Sequence, residues 1–358
     1  MGLFAQRAKI FAKTLTARRL GRRTVVSATL LLTNRCNMKC AYCFVDQTRP
    51  RRELTEQEWL SLIDELARRG AQAVCLMGGE PLLVPFFGAL VDRIRERGML
   101  CEAVSNGLLV PREIDQIRKL DSLLISLDGA PKANDRYRCN AQGEGTYRQV
   151  IEAIETARAA GVPTRLNAVL TRESVADIEH LLDLADRHDL FVAFSPIGAF
   201  PRRDGMSADD FLPSDAATRE AFVRLKTLKR MGRRVFNSLP ALEYLRDYPA
   251  PYQQIILAGD PAAAGFSRDF CTFGRTLLYV DANGDFYPCP ALFNSEWFRP
   301  KSIHDGFATA WEQLAARECV TCACPAVFDW NYVTSLRGLG HSLSTTWRQM
   351  QSRKTPRD

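Results

Sequence analysis

Eleven cysteines stand in this 358-residue chain, and their spacing says more than their number. Three fall close together in Thr33-Asn-Arg-Cys36-Asn-Met-Lys-Cys40-Ala-Tyr-Cys43. Three thiolates on one short loop can hold three corners of a [4Fe-4S] cube and leave the fourth iron without a protein ligand. An iron with an open position can bind and activate a small molecule. Structural zinc would want a fourth protein ligand, and the nearby candidate, Asp46, is a poor one. Five more cysteines crowd the last third of the chain: Cys271, then Gly284-x4-Cys289, then Cys319-x2-Cys322-x-Cys324. Soft thiolate groups of this kind point to iron–sulfur or zinc ligation. The odd count, in a chain with no export signal, argues against a disulfide framework. Cys75 and Cys101 sit in apolar stretches and read as small core residues, while Cys139 stands alone.

Other polar groups gather where hydrophobic runs end. Met77-Gly78-Gly79-Glu80-Pro81 combines glycines that permit close backbone approach with a carboxylate that accepts hydrogen bonds. Ser105-Asn106-Gly107 and Ser126-Leu-Asp128-Gly129 close two further runs. Taken singly, each is explained as a turn or a helix cap. Asp281-Ala-Asn283-Gly-Asp285 has the look of a calcium loop, but its twelfth position is Leu292 where an EF-hand needs a bidentate Glu, so a hairpin turn is expected. His180, His188, His304 and His341 show no ligand spacing. Trp330 and Tyr332 suit either the core or a cavity wall.

The elements that must hold these groups alternate. Apolar runs at 25–33, 73–77, 100–105, 122–127, 163–170 and 190–195 predict strands. Amphipathic periodicity predicts helices over 55–69, 85–97, 111–120, 145–160 and 174–188, the first opened by a Thr55-x-x-Glu58 capping box. Six βα-type repeats demand a parallel sheet with helices outside it. Six is fewer than the eight of a closed barrel, so the expected fold class is α/β, a partial (βα)6 TIM-like barrel with a cysteine-rich C-terminal extension. Function in such sheets collects at the carboxyl ends of the strands, where the motifs fall. After Pro196 the rhythm breaks. Residues 199–215 read as a loop or lid, 215–231 as a helix, 240–270 as irregular, and 276–288 as a hairpin. Expected divisions are an N-terminal helix over 1–23, the barrel over 24–235, and the extension over 236–358.

The net charge of +7 comes from one short segment. Arg7, Lys9, Lys13, Arg18, Arg19, Arg22 and Arg23 precede residue 24 with no acid among them, and the remaining 41 basic residues balance 41 acidic ones. With Phe4, Ala8, Phe11 and Leu15 on one side and Lys9 and Lys13 opposite, this helix suits either an anionic membrane surface or the bottom of the barrel. No basic groove interleaved with aromatics supports nucleic acid. No apolar run is long enough to span a bilayer, and no secretory pattern opens the chain, so a cytoplasmic location, with peripheral contact at the inner membrane surface as a variant, is expected.

The Cys triplet, the Gly-Gly-Glu-Pro turn and the Ser-Leu-Asp-Gly strand end, in that order on consecutive strands, resemble the radical S-adenosylmethionine (SAM) superfamily. The resemblance implies that Cys36, Cys40 and Cys43 hold a [4Fe-4S] cluster whose open iron is chelated by the methionine end of SAM. Reduction then splits SAM into methionine and a 5′-deoxyadenosyl radical, which abstracts a substrate hydrogen. It further implies SAM contacts from Tyr42, Gly78, Gly79, Glu80, Ser105, Asn106, Ser126 and Asp128. Asn134-Asp135-Arg-Tyr-Arg138 is similar to the family's His-Asp-x-x-Arg, whose arginine pairs with the SAM carboxylate; Asn134 departs from that pattern and Arg138 keeps it.

The C-terminal cysteines resemble the auxiliary-cluster extensions called SPASM and twitch. One auxiliary [4Fe-4S] cluster is implied, on Cys271, Cys289, Cys319 and Cys322, with Cys324 able to displace one of them; a zinc site of similar spacing is the alternative. The whole then reads as a radical SAM enzyme, with a flavodoxin- or ferredoxin-type electron donor, acting on a small metabolite, a lipid or a peptide. The auxiliary cluster would take away an electron or help hold substrate. A non-catalytic iron–sulfur or zinc protein, an electron carrier or scaffold, is the alternative of a different class.

Overall fold

The computed structural model describes residues 3–45, 47, 52–198, 210–266, 271–293, 295, 298–316 and 318–333. Asp46, His341 and residues 199–209 of the expected lid lie outside them. Helix α1 (Leu3–Arg19) leads into strand β1 (Ser27–Leu31). The chain then alternates through α2 (Glu56–Arg68), β2 (Ala73–Met77), α3 (Phe87–Glu96), β3 (Leu100–Ser105), α4 (Ile114–Ile117) and β4 (Ser122–Ser126). It continues through α5 (Pro131–Tyr137), α6 (Tyr147–Ala159), β5 (Thr164–Leu170), α7 (Ile178–Arg187) and β6 (Val192–Pro196). Strands β1 to β6 pair in sequence order, all parallel.

Period-two alternation sets which side chains enter the barrel. Along β5, Thr164, Leu166, Ala168 and Leu170 are buried beneath the helices, while Arg165, Asn167 and Val169 face the half-open interior. The helices answer with apolar stripes: Trp59, Leu62, Ile63 and Leu66 on α2, and Ile178, Leu181, Leu182 and Ala185 on α7. The expected capping box forms, Thr55 accepting from the Glu58 amide and Glu58 from the Thr55 amide.

The C-terminal part consists of α8 (Asp215–Arg230), α9 (Leu239–Arg246), β7 (Ile256–Leu257), β8 (Leu277–Val280), β9 (Phe286–Tyr287), α10 (Phe307–Gln313), β10 (Cys319–Thr321) and α11 (Pro325–Val333). The β8–β9 hairpin turns at the expected Asn283-Gly284, where the Gly284 amide donates to the Asp281 carbonyl at 2.8 Å. Strand β8 pairs parallel with β1, so the barrel sheet runs on into the cysteine-rich region in the order β6-β5-β4-β3-β2-β1-β8-β9. A separate two-stranded sheet joins β7 to β10.

Several elements differ from expectation. The helix read over 111–120 is only the four-residue α4. Residues 174–176 form a 3-10 turn before α7 begins. The stretch read as irregular contains α9, started by Ser238, whose side chain accepts from the Ala241 amide at 3.1 Å, with Pro240 in the first turn.

Helix α1 docks at the end of the barrel opposite the cysteine loop. Its buried residues are Thr14 and Ala17, while Ala8, placed on the apolar side by the sequence pattern, is exposed. Lys13, expected on the solvent side, donates to the Val25 carbonyl at 2.9 Å and to the carbonyls of Arg69 and Gly70 at the end of α2. A lysine needs three acceptors when it leaves water; the end of α2 supplies two and the approach to β1 the third. Gln6 adds a bond to the Gly98 carbonyl at 2.9 Å.

Candidate active site

The loop after β1 is held from three sides. The Gly79 amide donates to the Thr33 carbonyl at 2.7 Å and the Glu80 amide to the Arg35 carbonyl at 2.9 Å. This approach explains both glycines: Gly78 has φ +149°, and a Cβ on Gly79 would collide with the Arg35 carbonyl. From the other side, the Lys39 amide donates to the Cys139 carbonyl at 2.8 Å and the Ala41 amide to the Tyr137 carbonyl at 3.0 Å. Glu53, which no sequence signal marked, takes bonds from the Thr33 hydroxyl at 2.6 Å and the Asn34 amide at 2.9 Å.

Cys36, Cys40 and Cys43 are half-buried on this loop and all three line one cavity of about 280 Å³ at the carboxyl ends of the strands. Burial pushes the Cys36 thiol up to about 11 and the Cys40 thiol up to about 12, with Arg138 pulling the latter down. Such thiols keep their protons in contact with water and release them when a metal ion binds the sulfur in their place. Among the described residues, no three His, Cys, Asp or Glu side chains close on a single metal ion.

Of the other expected residues, Tyr42, Gly78, Gly79, Ser105, Asn106, Ser126 and Arg138 line the same space, while Glu80 and Asp128 are buried behind its wall. Glu80 is fully buried and accepts from the Ser105 hydroxyl at 2.9 Å, the Asn106 amide at 2.8 Å and the Leu82 amide at 3.2 Å. Burial nevertheless pushes its carboxyl up to about 7. Asn106 also reaches the cysteine loop, donating to Asn37 at 2.7 Å and to the Cys36 sulfur at 3.6 Å. Ser126 lines the cavity from the end of β4. Tyr42 packs against Phe211, with ring centroids 6.5 Å apart.

Arg138 and Asp128 form a buried pair with spare capacity. Arg138 Nη1 lies 3.7 Å from Asp128 Oδ2 and 3.4 Å from the Tyr42 hydroxyl. Asp128 Oδ1 accepts from the Val169 amide at 2.8 Å, while its Oδ2 and Arg138 Nε have no hydrogen-bond partner. Buried polar atoms left open beside a cavity are what a zwitterionic ligand would complete. Asn134, where the family pattern has histidine, is fully buried and accepts from the Asp128 amide at 3.4 Å, bracing the strand end.

The C-terminal cysteines converge on the other wall. Cys271, Cys289, Cys319 and Cys322 line a narrow apolar space with Ile255, Phe273 and Leu292. Cys324 lies outside that space but lines the main cavity, as Cys289 and Cys322 also do. Cys322 and Cys324 share a hydrogen bond, which lowers the Cys324 thiol and raises that of Cys322. One cavity therefore touches cysteines of both groups. Trp330, left open between core and cavity wall, packs against the core and donates to Thr276 at 3.3 Å. Asn167 and Ser195 also line the cavity; only the inward phase of β5 and β6 could have marked them.

Comparison with known proteins agrees with this geometry. Residues 30–185 match the family model of the radical SAM superfamily. The mycofactocin maturase MftC of Mycobacterium ulcerans is 27% identical over 288 residues, covering 78% of this chain and 73% of the relative. A PqqA peptide cyclase of Ruegeria pomeroyi is 31% identical over 271 residues, 73% of this chain and 66% of the relative. In fold, the chain is similar to Streptococcus suis SuiB bound to S-adenosylmethionine, with TM-score 0.62 and 17% identity over 83% of this chain and 68% of that one. No described helix is long and apolar enough to cross a membrane. The chain belongs to the radical SAM superfamily and is an enzyme whose radical chemistry uses a [4Fe-4S] cluster and SAM.

Proposed function

We propose that this enzyme modifies a peptide, with the substrate held between two [4Fe-4S] clusters. The observation that carries this reading is the single cavity lined by Cys36, Cys40 and Cys43 on one side and Cys289, Cys322 and Cys324 on the other. Residues 24–235 would carry the first site and 236–358 the second. Cys36, Cys40 and Cys43 would hold the first cluster. Arg138 would take the SAM carboxylate on its open Nε edge, and Glu80 would accept from the ammonium. Ser105, Asn106, Ser126 and Asp128 would orient the remainder, with Gly78 and Gly79 giving it room and Tyr42 beside the adenine. Bound there, cluster and SAM supply a 5′-deoxyadenosyl radical that removes a hydrogen atom from a substrate C–H bond.

Cys271, Cys289, Cys319 and Cys322 would hold the second cluster, because these four ring one space and Cys324 stands apart from it. The peptide reading draws on relatives such as the PqqA peptide cyclases, and a flavodoxin- or ferredoxin-type protein is the proposed electron donor. The docked position of α1 accounts for Lys13 without a membrane, so contact of residues 1–23 with an anionic membrane surface has no structural support here. The reaction is tested with reduced, reconstituted enzyme and a short peptide encoded beside its gene. Peptide-dependent 5′-deoxyadenosine formation, with a change in peptide mass, is expected. Stimulation by a small metabolite or lipid but by no peptide would reject the peptide assignment.

A further inference from the structure

The second cysteine group has a half-buried polar neighbour that neither cluster site uses directly. Tyr244 lies on α9, and its ring stacks on Phe328 of α11 with centroids 4.8 Å apart and planes 23° from parallel. Its hydroxyl donates to the Cys322 carbonyl at 2.9 Å and contacts the Thr321 hydroxyl. A phenol has one hydrogen. With that hydrogen on Cys322, Thr321 must be the donor in the second contact. A directed chain results, Thr321 to Tyr244 to the Cys322 peptide, ending between Cys319 and Cys324.

Helix α9 is fixed to the same segment at its start, where the Ser238 amide donates to Asp329 Oδ1 at 3.1 Å. Two bonds from one helix thus set where the cysteine run sits. The neighbouring rings are not a proton-coupled relay. Tyr248 and Tyr252 donate to the backbone carbonyls of Gln254 and Leu245, at 2.7 and 2.6 Å, and such carbonyls do not take the proton.

We propose that Tyr244 is a positioning residue for the second cluster, holding the Cys322 peptide through the bond to its carbonyl. This rests on the reading of the C-terminal cysteines as ligands of a [4Fe-4S] cluster. Hydrogen bonds around the ligands are among the levers that set a cluster's potential. A hydrogen bond donated to the Cys322 peptide draws electron density from it and so favours the more negative, reduced cluster; losing the bond lowers the potential.

The test compares wild type, Tyr244→Phe and Thr321→Val as full chains, reconstituted anaerobically and titrated with reductant under electron paramagnetic resonance. Each substitution is repeated with Cys36, Cys40 and Cys43 changed to Ala, so that the second cluster is seen alone. Iron content is expected to match the parent chain, about eight per chain with the three cysteines present and about four without them. The second cluster's potential should shift negative in Tyr244→Phe, less so in Thr321→Val, while the first cluster's stays put. Full iron with both potentials unmoved overturns the Tyr244 assignment alone. Wild type with about four iron and one potential overturns the two-cluster reading as well. If Tyr244→Phe loses iron, Thr321→Val, which leaves the ring stacking intact, decides by the same shift.

Discussion

Arg138 Nη1 stands 3.7 Å from Asp128 Oδ2 in a buried pair at the edge of the cysteine loop, an ion pair without a hydrogen bond on Oδ2, and Arg138 Nε likewise has no hydrogen-bond partner. A pair that only stabilised the fold would be expected to saturate itself, because an unmet buried donor or acceptor is costly. The missing hydrogen bonds at Arg138 Nε and Asp128 Oδ2 instead suit a ligand that brings its own charges.

Arg138→Lys keeps a cation beside Asp128 but loses the planar fork. One charge-assisted hydrogen bond is worth about 1.5–3 kcal/mol, so SAM should bind roughly tenfold to a hundredfold more weakly, with iron content unchanged. Anaerobic calorimetry reads both affinity and stoichiometry; wild-type affinity in the variant would remove Arg138 from the SAM site.

Glu80 gives a pH dependence of defined sign. Burial raises its pKa to about 7, above the unfolded carboxylate range, so the folded chain holds the proton more tightly. Its contribution to stability is full at low pH and falls as pH rises through about 7. SAM binding runs the other way, since the ionised carboxylate is the better partner for an ammonium. Affinity should rise from roughly pH 6 to pH 8 in wild type and stay level in Glu80→Gln.

Gly79→Ala drives a methyl group into the Arg35 carbonyl and should push the cysteine loop off the Gly-Gly-Glu turn. The expected result is a folded chain with about half the wild-type iron and no SAM cleavage. Gly265→Ala, with nothing within 4 Å of the added carbon, is the control. Full iron in Gly79→Ala would show that the close approach is not what forms the first site.

Local signals were legible in the sequence, and distant pairings were not. The Thr55–Glu58 box and the Asn283-Gly284 turn are made by neighbours in the chain, so spacing alone reveals them. The Cys triplet and the Gly-Gly-Glu turn were readable as motifs, but their contact joins residues over forty positions apart and only folding brings them together. Glu53 carries no motif, because its role depends on where Thr33 and Asn34 come to rest. Helix α9 was missed although Ser238 and Pro240 mark its start, since it is eight residues long and lies among loops.

Helix α1 offers a further check. Lys13→Met removes a cation from carbonyls at the ends of α2 and the β1 approach, each charged hydrogen bond being worth about 1.5–3 kcal/mol when well formed. Partial exposure reduces that, so a loss of about 1–2 kcal/mol in denaturant unfolding is expected. Unchanged stability together with salt-sensitive binding to anionic vesicles would favour a membrane role for this helix instead.

The most direct test of the account is iron content and SAM cleavage in wild type and in the chain with Cys36, Cys40 and Cys43 changed together to Ala. Wild type should carry about eight iron and eight sulfide and, once reduced, form 5′-deoxyadenosine; the triple variant should keep about four iron and form none. Zinc as the main metal in anaerobically prepared protein, or SAM cleavage that survives loss of the three cysteines, would contradict it.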